Sequence, residues 1–237
     1  MNAEICLPDH AIRYVLLQRT GYLAIPKSFF YRALNKFSPW QLIKPVVSIE
    51  STLRRRRVKE LFNQDFSNEY EIIRPALPAQ CSAILDIGCG VGGIDVLLHR
   101  HYAATNPRFF LLDKTQVDPI YYGYERKGAF YNSLEVAKEV LTSNEIASEN
   151  IKLIHATDDN RIDMEERVDL VVSLISWGFH YPVETYLQRV HELLRPGGHL
   201  ILDLRNGIDG EAAIRERFAT LGRVEVTEKY TRVVAVK

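Results

Sequence analysis

The stretch 83-AILDIGCGVGGIDVLL-98 decides how this chain is read. An apolar run, AILDI, enters a turn containing four glycines, and an amphipathic run leaves it. Strand, glycine loop and helix in that order bring backbone N–H groups and a helix N-terminus close to a ligand, because glycine permits close approach and positive φ. Gly88, Gly90 and Gly93 match the GxGxxG spacing of dinucleotide sites, with Asp113 20 residues after Gly93. Asp86 stands two positions before the first glycine, at the expected C-terminal end of the strand. A carboxylate there repels a pyrophosphate and attracts an ammonium group. S-adenosylmethionine (SAM) carries an ammonium and a sulfonium and no phosphate, and its methionine carboxylate suits the helix N-terminus at Gly92 and Gly93. Asp113 can accept both hydroxyls of a ribose, in a nicotinamide dinucleotide or in SAM.

Outward from the loop, short apolar runs alternate with amphipathic ones. RFFLLD, IKLIHA, VDLVVSLI and GHLILDLR read as strands; NSLEVAKEVLTSN, VETYLQRVHELLR and GEAAIRERFATL read as helices. That alternation predicts an α/β protein with a Rossmann-like, mostly parallel sheet and helices on both faces. The last two runs, RVEVTEK and TRVVAVK, are too close for a crossover helix and should pair antiparallel. Residues 1–78 lack this alternation. HAIRYVLLQR, SFFYRALNKF and ESTLRRRRVKELFNQ have helical spacing, and Pro8, Pro26, Pro39 and Pro45 should divide them into short pieces. The expected organisation is a helical appendage or cap over 1–78 and a SAM-binding domain over 79–237.

The 237 residues carry 30 basic and 30 acidic side chains, so net charge gives no pull toward nucleic acid. Cys6, Cys81 and Cys89 form no CxxC pair, which argues against a zinc site or disulfide framework. MNAEICLPDH lacks the pattern of a signal peptide, and no apolar run approaches the roughly 20 residues of a membrane span. A cytoplasmic protein is expected.

The motifs ILDIGCGVGG, FFLLD, VDLVVSLI and ELLRPGGHLIL, in that order, resemble the class I SAM-dependent methyltransferases over about residues 80–237. The resemblance implies a seven-stranded sheet with its last strand inserted antiparallel. It assigns Asp86, Gly88 and Gly90 to the methionine end, Asp113 to the ribose, and the turn after IKLIHA to the adenine. Where the family often has an acid in that turn, this chain has Thr157 followed by Asp158, and either residue can make the contact. Cys89, within the loop, and Ser173, at the end of the fourth strand, complete the expected cofactor contacts. The stretches YYGYERKGAFYNSLEVAKEVL and SLISWGFHYPVETYL are also similar to methyltransferases of bacterial polysaccharide and sugar biosynthesis.

Ligands of open α/β sheets bind beyond the C-terminal strand ends. The fourth strand delivers LISWGFHYP to that rim, where the family places its acceptor. Trp177, Phe179 and Tyr181 are candidate pocket walls, with core filling as the plainer alternative. His180 is the candidate general base toward an acceptor hydroxyl, since an imidazole titrates near neutrality; a packing histidine is the alternative. His155 and His191 read as packing histidines. Arg205 can bind an anionic group of the acceptor or pair with Asp203 or Glu211. The long stretch after Asp113 carries Tyr121, Tyr122, Tyr124 and Tyr131, candidate lid and sugar contacts, Tyr124 first among them. The run Arg54–Arg57 points around a helix and reads as a solvated face, or else as contacts to a phosphorylated acceptor. The expected activity is methyl transfer from SAM to a hydroxyl of a small molecule or sugar, with no metal required in principle. The alternatives are RNA or protein as acceptor, a nicotinamide-dependent oxidoreductase, and a non-catalytic SAM-fold binding protein. Nucleic acid is the less expected partner, and the sequence leaves the oligomeric state open.

Overall fold

The computed structural model describes residues 4–24, 39–115 and 132–237, without the side chains of 39–44. Seven strands form one sheet: β1 (Ala83–Ile87), β2 (Arg108–Asp113), β3 (Ile151–His155), β4 (Val168–Ser173), β5 (Leu194–Arg205), β6 (Thr220–Val226) and β7 (Tyr230–Val236). Their order is β3-β2-β1-β4-β5-β7-β6. The first five are parallel, and β7 runs antiparallel between β5 and β6. The expected parallel sheet with an antiparallel insertion is what forms.

The helices are α1 (Ile12–Gln18), α2 (Pro39–Leu53), α3 (Arg55–Ile73), α4 (Gly93–His101), α5 (Leu134–Thr142), α6 (Glu184–Leu193) and α7 (Glu211–Arg215). Alternation along β1 sorts the two faces. Ile84 joins the core that includes residues of α1 to α5, whereas Ala83, Leu85 and Ile87 join the core that includes residues of α6 and α7. Phe109 and Leu111 of β2 follow Ile84, and Phe110 and Leu112 follow the other face. Asp86 and Asp113 continue the Ile84 and Phe109–Leu111 series. Both therefore project toward the face covered by α4, α5 and the N-terminal helices.

Several local expectations fail for tertiary reasons. Pro45 lies inside α2, which runs 15 residues, and Pro39 is its first residue. A proline at the first helical position removes an N–H that has no partner there, and one interior proline removes a single helical bond. The N-terminal helices are thus longer than the prolines suggested. SFFYRALNKF lies outside the described residues. The helix read over GEAAIRERFATL stops at Arg215, because Phe218 enters the core and Ala219 N–H donates to Val236 O, drawing the chain into β6 at Thr220. His155 is exposed rather than buried, since β3 is an edge strand.

Candidate active site

The glycine loop, Gly88 to Gly92, joins β1 to α4. Positive φ falls on Gly88 (77°), Gly90 (56°) and Gly92 (76°). The conformational requirement therefore follows a GxGxG spacing, not the GxGxxG match. Gly93 is needed for space: a Cβ there would lie 2.7 Å from Phe62 and 2.6 Å from Phe66 of α3. A Cβ at Gly88 would collide with the Ser176 side chain. That contact sets the segment after β4 directly against the loop.

Asp113 sits beside the loop and is buried, 6 % exposed. Its Oδ2 accepts from Gly90 N–H at 2.9 Å and from the Asn132 amide at 3.1 Å, and its Oδ1 accepts from Lys114 N–H at 2.7 Å. Burial pushes its carboxyl up to about 6 despite those donors. Asp86 is 3 % exposed, and burial, then the neighbouring Asp95 and Asp113, raise its carboxyl well above the usual range. Asp95, in the first turn of α4, is 0 % exposed, and burial raises it too. Among the described residues no lysine, arginine or histidine forms an ion pair with any of the three. Cys89 is buried among them; desolvation, then the charges of Asp113, Asp86 and Asp95, push its thiol up, so it is no nucleophile.

Two residues that sequence reading passed over close the loop. Asn132 is buried and donates both to Gly90 O and to Asp113. Gln18, at the end of α1, donates to Asn132 Oδ1 at 3.3 Å and lies against Gly90. Asp95 was also missed; its one signal is an acid inside the otherwise apolar run GGIDVLL.

The outer contacts divide. Thr157 and Asp158 are exposed in the turn after β3; Thr157 Oγ1 accepts from Arg161 N–H, and Asp158 pairs with Lys114 at 2.9 Å. Ser173 is not available to a cofactor. It is wholly buried, donates to Ile87 O at 2.7 Å and accepts from Trp177 N–H at 3.0 Å, so it pins the β1 and β4 exits together. Trp177 is likewise no pocket wall: it is fully buried, its Nε1–H donates to Val183 O at 2.9 Å, and its ring meets Tyr186 edge-on. Core filling explains it. Tyr181 is buried against Tyr186.

Ser176–Tyr181 is an extended segment rather than an irregular loop. It carries Phe179 and His180, both half-buried, with their rings perpendicular and 4.9 Å apart. Arg205 stacks over Phe179 at 5.3 Å; its expected partners are engaged elsewhere, Asp203 with Arg232 and Glu211 with Arg223 and Arg215. Phe179, His180 and Arg205 thus form one cluster at the ends of β4 and β5. Tyr121, Tyr122, Tyr124 and Tyr131 lie outside the described residues. Each of Arg54–Arg57 has a carboxylate within the chain: Glu50 for Arg54, Asp9 for Arg55, Glu60 for Arg56 and Arg57.

No family model and no curated protein matches the chain. Solved structures do. The methyltransferase SibL, SAM-dependent and solved in its apo form, aligns with a TM-score of 0.57 at 14% identity over 96% of this chain and 74% of that one. A protein from Nostoc punctiforme assigned as an O-methyltransferase aligns with a TM-score of 0.51 at 15% identity over 96% and 72%. The 16S rRNA N2-guanosine methyltransferase of T. thermophilus, in complex with AdoMet and guanosine, aligns with a TM-score of 0.51 at 19% identity over 70% of this chain; the match spans 41% of that protein. The fold is that of the class I SAM-dependent methyltransferases. Proteins of this fold methylate RNA as well as other acceptors, so the fold leaves the acceptor open. Among the described residues no helix is long and apolar enough to cross a membrane.

Proposed function

We propose that this chain is a SAM-dependent methyltransferase acting on a hydroxyl of a small molecule or sugar. The observation that carries the cofactor reading is the glycine loop's set of three buried carboxylates, Asp86, Asp95 and Asp113, with no cationic side chain paired to them among the described residues. Buried charge of one sign is costly unless a ligand supplies the other. An ammonium and a sulfonium supply it; a pyrophosphate would add to the repulsion. Asp86 receives the ammonium, Asp113 the ribose hydroxyls, the N-terminus of α4 the carboxylate, and Thr157 or Asp158 the adenine. When bound, SAM supplies a methyl carbon already activated by its sulfonium. The chain's own work is then to orient the acceptor, exclude water and take up its proton.

His180 is the residue proposed for that proton, with Phe179 and Arg205 beside it for the acceptor; Tyr181, buried against Tyr186, backs them from the core. The internal pairing of Arg54–Arg57 and the zero net charge favour a small acceptor over RNA. Cofactor choice is tested by calorimetric titration with SAM, its demethylated product and NAD. Binding of the first two and not the third is expected; heat with NAD alone overturns the reading. With an acceptor in hand, His180→Ala is expected to lower turnover about 10²–10⁴-fold and leave SAM affinity nearly unchanged. Near-normal turnover would remove His180 from the mechanism.

A further inference from the structure

Asp95 has no place in the contacts just described, yet it is the described residue with both carboxylate oxygens buried and unmet. It is 0 % exposed, and neither of its oxygens has a hydrogen-bond partner among the described residues. A buried acceptor pair left without donors is destabilising, so it calls for a ligand or a proton. Its carboxyl faces the glycine loop: a Cβ at Gly92 would stand 3.6 Å from Asp95 Oδ2. The Asp86 carboxyl, from the end of β1, adjoins it.

Resting on the reading that the cofactor is SAM, we propose that Asp95 is a second carboxylate of the cofactor site. It and Asp86 hold one proton between them in the free protein and give it up to solvent on receiving the cofactor's ammonium. The pair then goes from one negative charge to two, and the ammonium restores the balance to one. Like charges in a dry site cannot both ionise unaided, which is why the proton is held until the cation arrives.

The groups around the pair support this exchange. From β2 comes Asp113, and from the loop Cys89, a neutral thiol at physiological pH. From α1 comes the uncharged Gln18, against Gly90; from α3 come Phe62 and Phe66, against Gly93; from α5 come Leu141 and the Ala137 carbonyl, against Gly92. Arg19, next to Gln18, is engaged with Asp65. None of these supplies a cation in place of the ligand.

The test is calorimetric titration of the whole chain with SAM in buffers of different ionisation enthalpy, from pH 6 to 8. About one proton is expected to leave per SAM bound, with affinity tightening as pH rises by up to about tenfold per unit. Methylthioadenosine keeps the ribose and adenine but lacks the ammonium. It is expected to bind without that proton, which separates the acid pair from Asp113. Asp95→Asn should abolish the SAM-linked proton release and weaken SAM binding at pH 8 about tenfold. An independent readout needs no ligand: the free protein should show a protonated-carboxyl infrared band at pH 7 that Asp95→Asn removes. An equal proton count for SAM and methylthioadenosine, or an Asp95→Asn protein with the parent's pH dependence, overturns the proposal. The parent-chain comparison and its infrared band decide the matter if that variant does not fold. Absence of SAM binding at every pH would instead overturn the cofactor reading, and the proposal with it.

Discussion

Two clusters of buried acid lie in the same sheet, with β4 between them, and are handled in opposite ways. At the end of β5, Asp203 is fully buried and grips Arg232 of β7 through two hydrogen bonds of 2.6 and 2.8 Å. Arg232 also reaches Glu69 of α3, and Asp203 accepts from Ile175 N–H at 3.0 Å. One buried guanidinium there answers three carboxylates, those of Asp203, Glu69 and Glu225. Around the glycine loop, Asp86 of β1, Asp95 of α4 and Asp113 of β2 have no counter-charge among the described residues. The first cluster is scaffold; the second is the one proposed to receive the cofactor's cation. Burial alone does not mark a binding site. Burial with the compensation withheld makes a candidate for one.

Breaking the compensated cluster should have the largest effect. Arg232→Met leaves Asp203 and Glu69 without their cation, and is expected to cost about 3–5 kcal/mol of unfolding free energy in denaturant titration. A loss below about 1 kcal/mol would erase the distinction between the clusters. Next comes Asp113→Asn, which keeps the loop's shape but removes its charge. It is expected to weaken SAM binding by about 1.5–3 kcal/mol, read by calorimetry, with little change in melting temperature.

The uncompensated cluster also predicts how the free protein responds to pH. Asp113 has a folded value of about 6, above the usual carboxylate range, because burial disfavours its charge. Its stabilising contribution is therefore complete at acid pH, below the unfolded value, and is lost as pH rises through about 6; the Asp86–Asp95 pair shifts in the same direction. The ligand-free melting temperature should fall between pH 5 and 8, and saturating SAM should reduce that fall. A melting temperature that rises over this range would contradict the uncompensated burial. The smallest effect sharpens the same point: Asp95→Asn should raise the ligand-free melting temperature at pH 8 by about 2–4 °C, roughly 1 kcal/mol at this chain length.

What the sequence made legible and what it hid follow the same physical line. The places of Asp86, Gly88, Gly90 and Asp113 around the loop could be read because strand, turn and helix are local. The parallel sheet and its antiparallel insertion could be read from period and spacing. Asp95 could not, since an acid in a first helical turn reads as an ordinary dipole partner; only the closure of the fold around it makes it unusual. Trp177 and Ser173 misled because strand-end position does not tell which face a residue turns to. Nor could the tie of Asp203 to Arg232 be read: 29 residues separate them, and the pairing of β5 with β7 brings them together.

That pairing has a consequence for the order in which the molecule can be completed. β6 precedes β7 in the chain but hydrogen-bonds only to it within the sheet, and β7 is what joins β6 to β5. During synthesis the five parallel strands, emerging first, can assemble, yet β6 must wait as an unpaired segment until Tyr230–Val236 leaves the ribosome. Asp203 waits as well, a buried acid with its counter-ion still to be made. Threading one strand between two already synthesised is a long-range step of the slow kind. It should be the last event of folding, and it is the interval in which the open edge of β5 is most exposed to pairing with another chain.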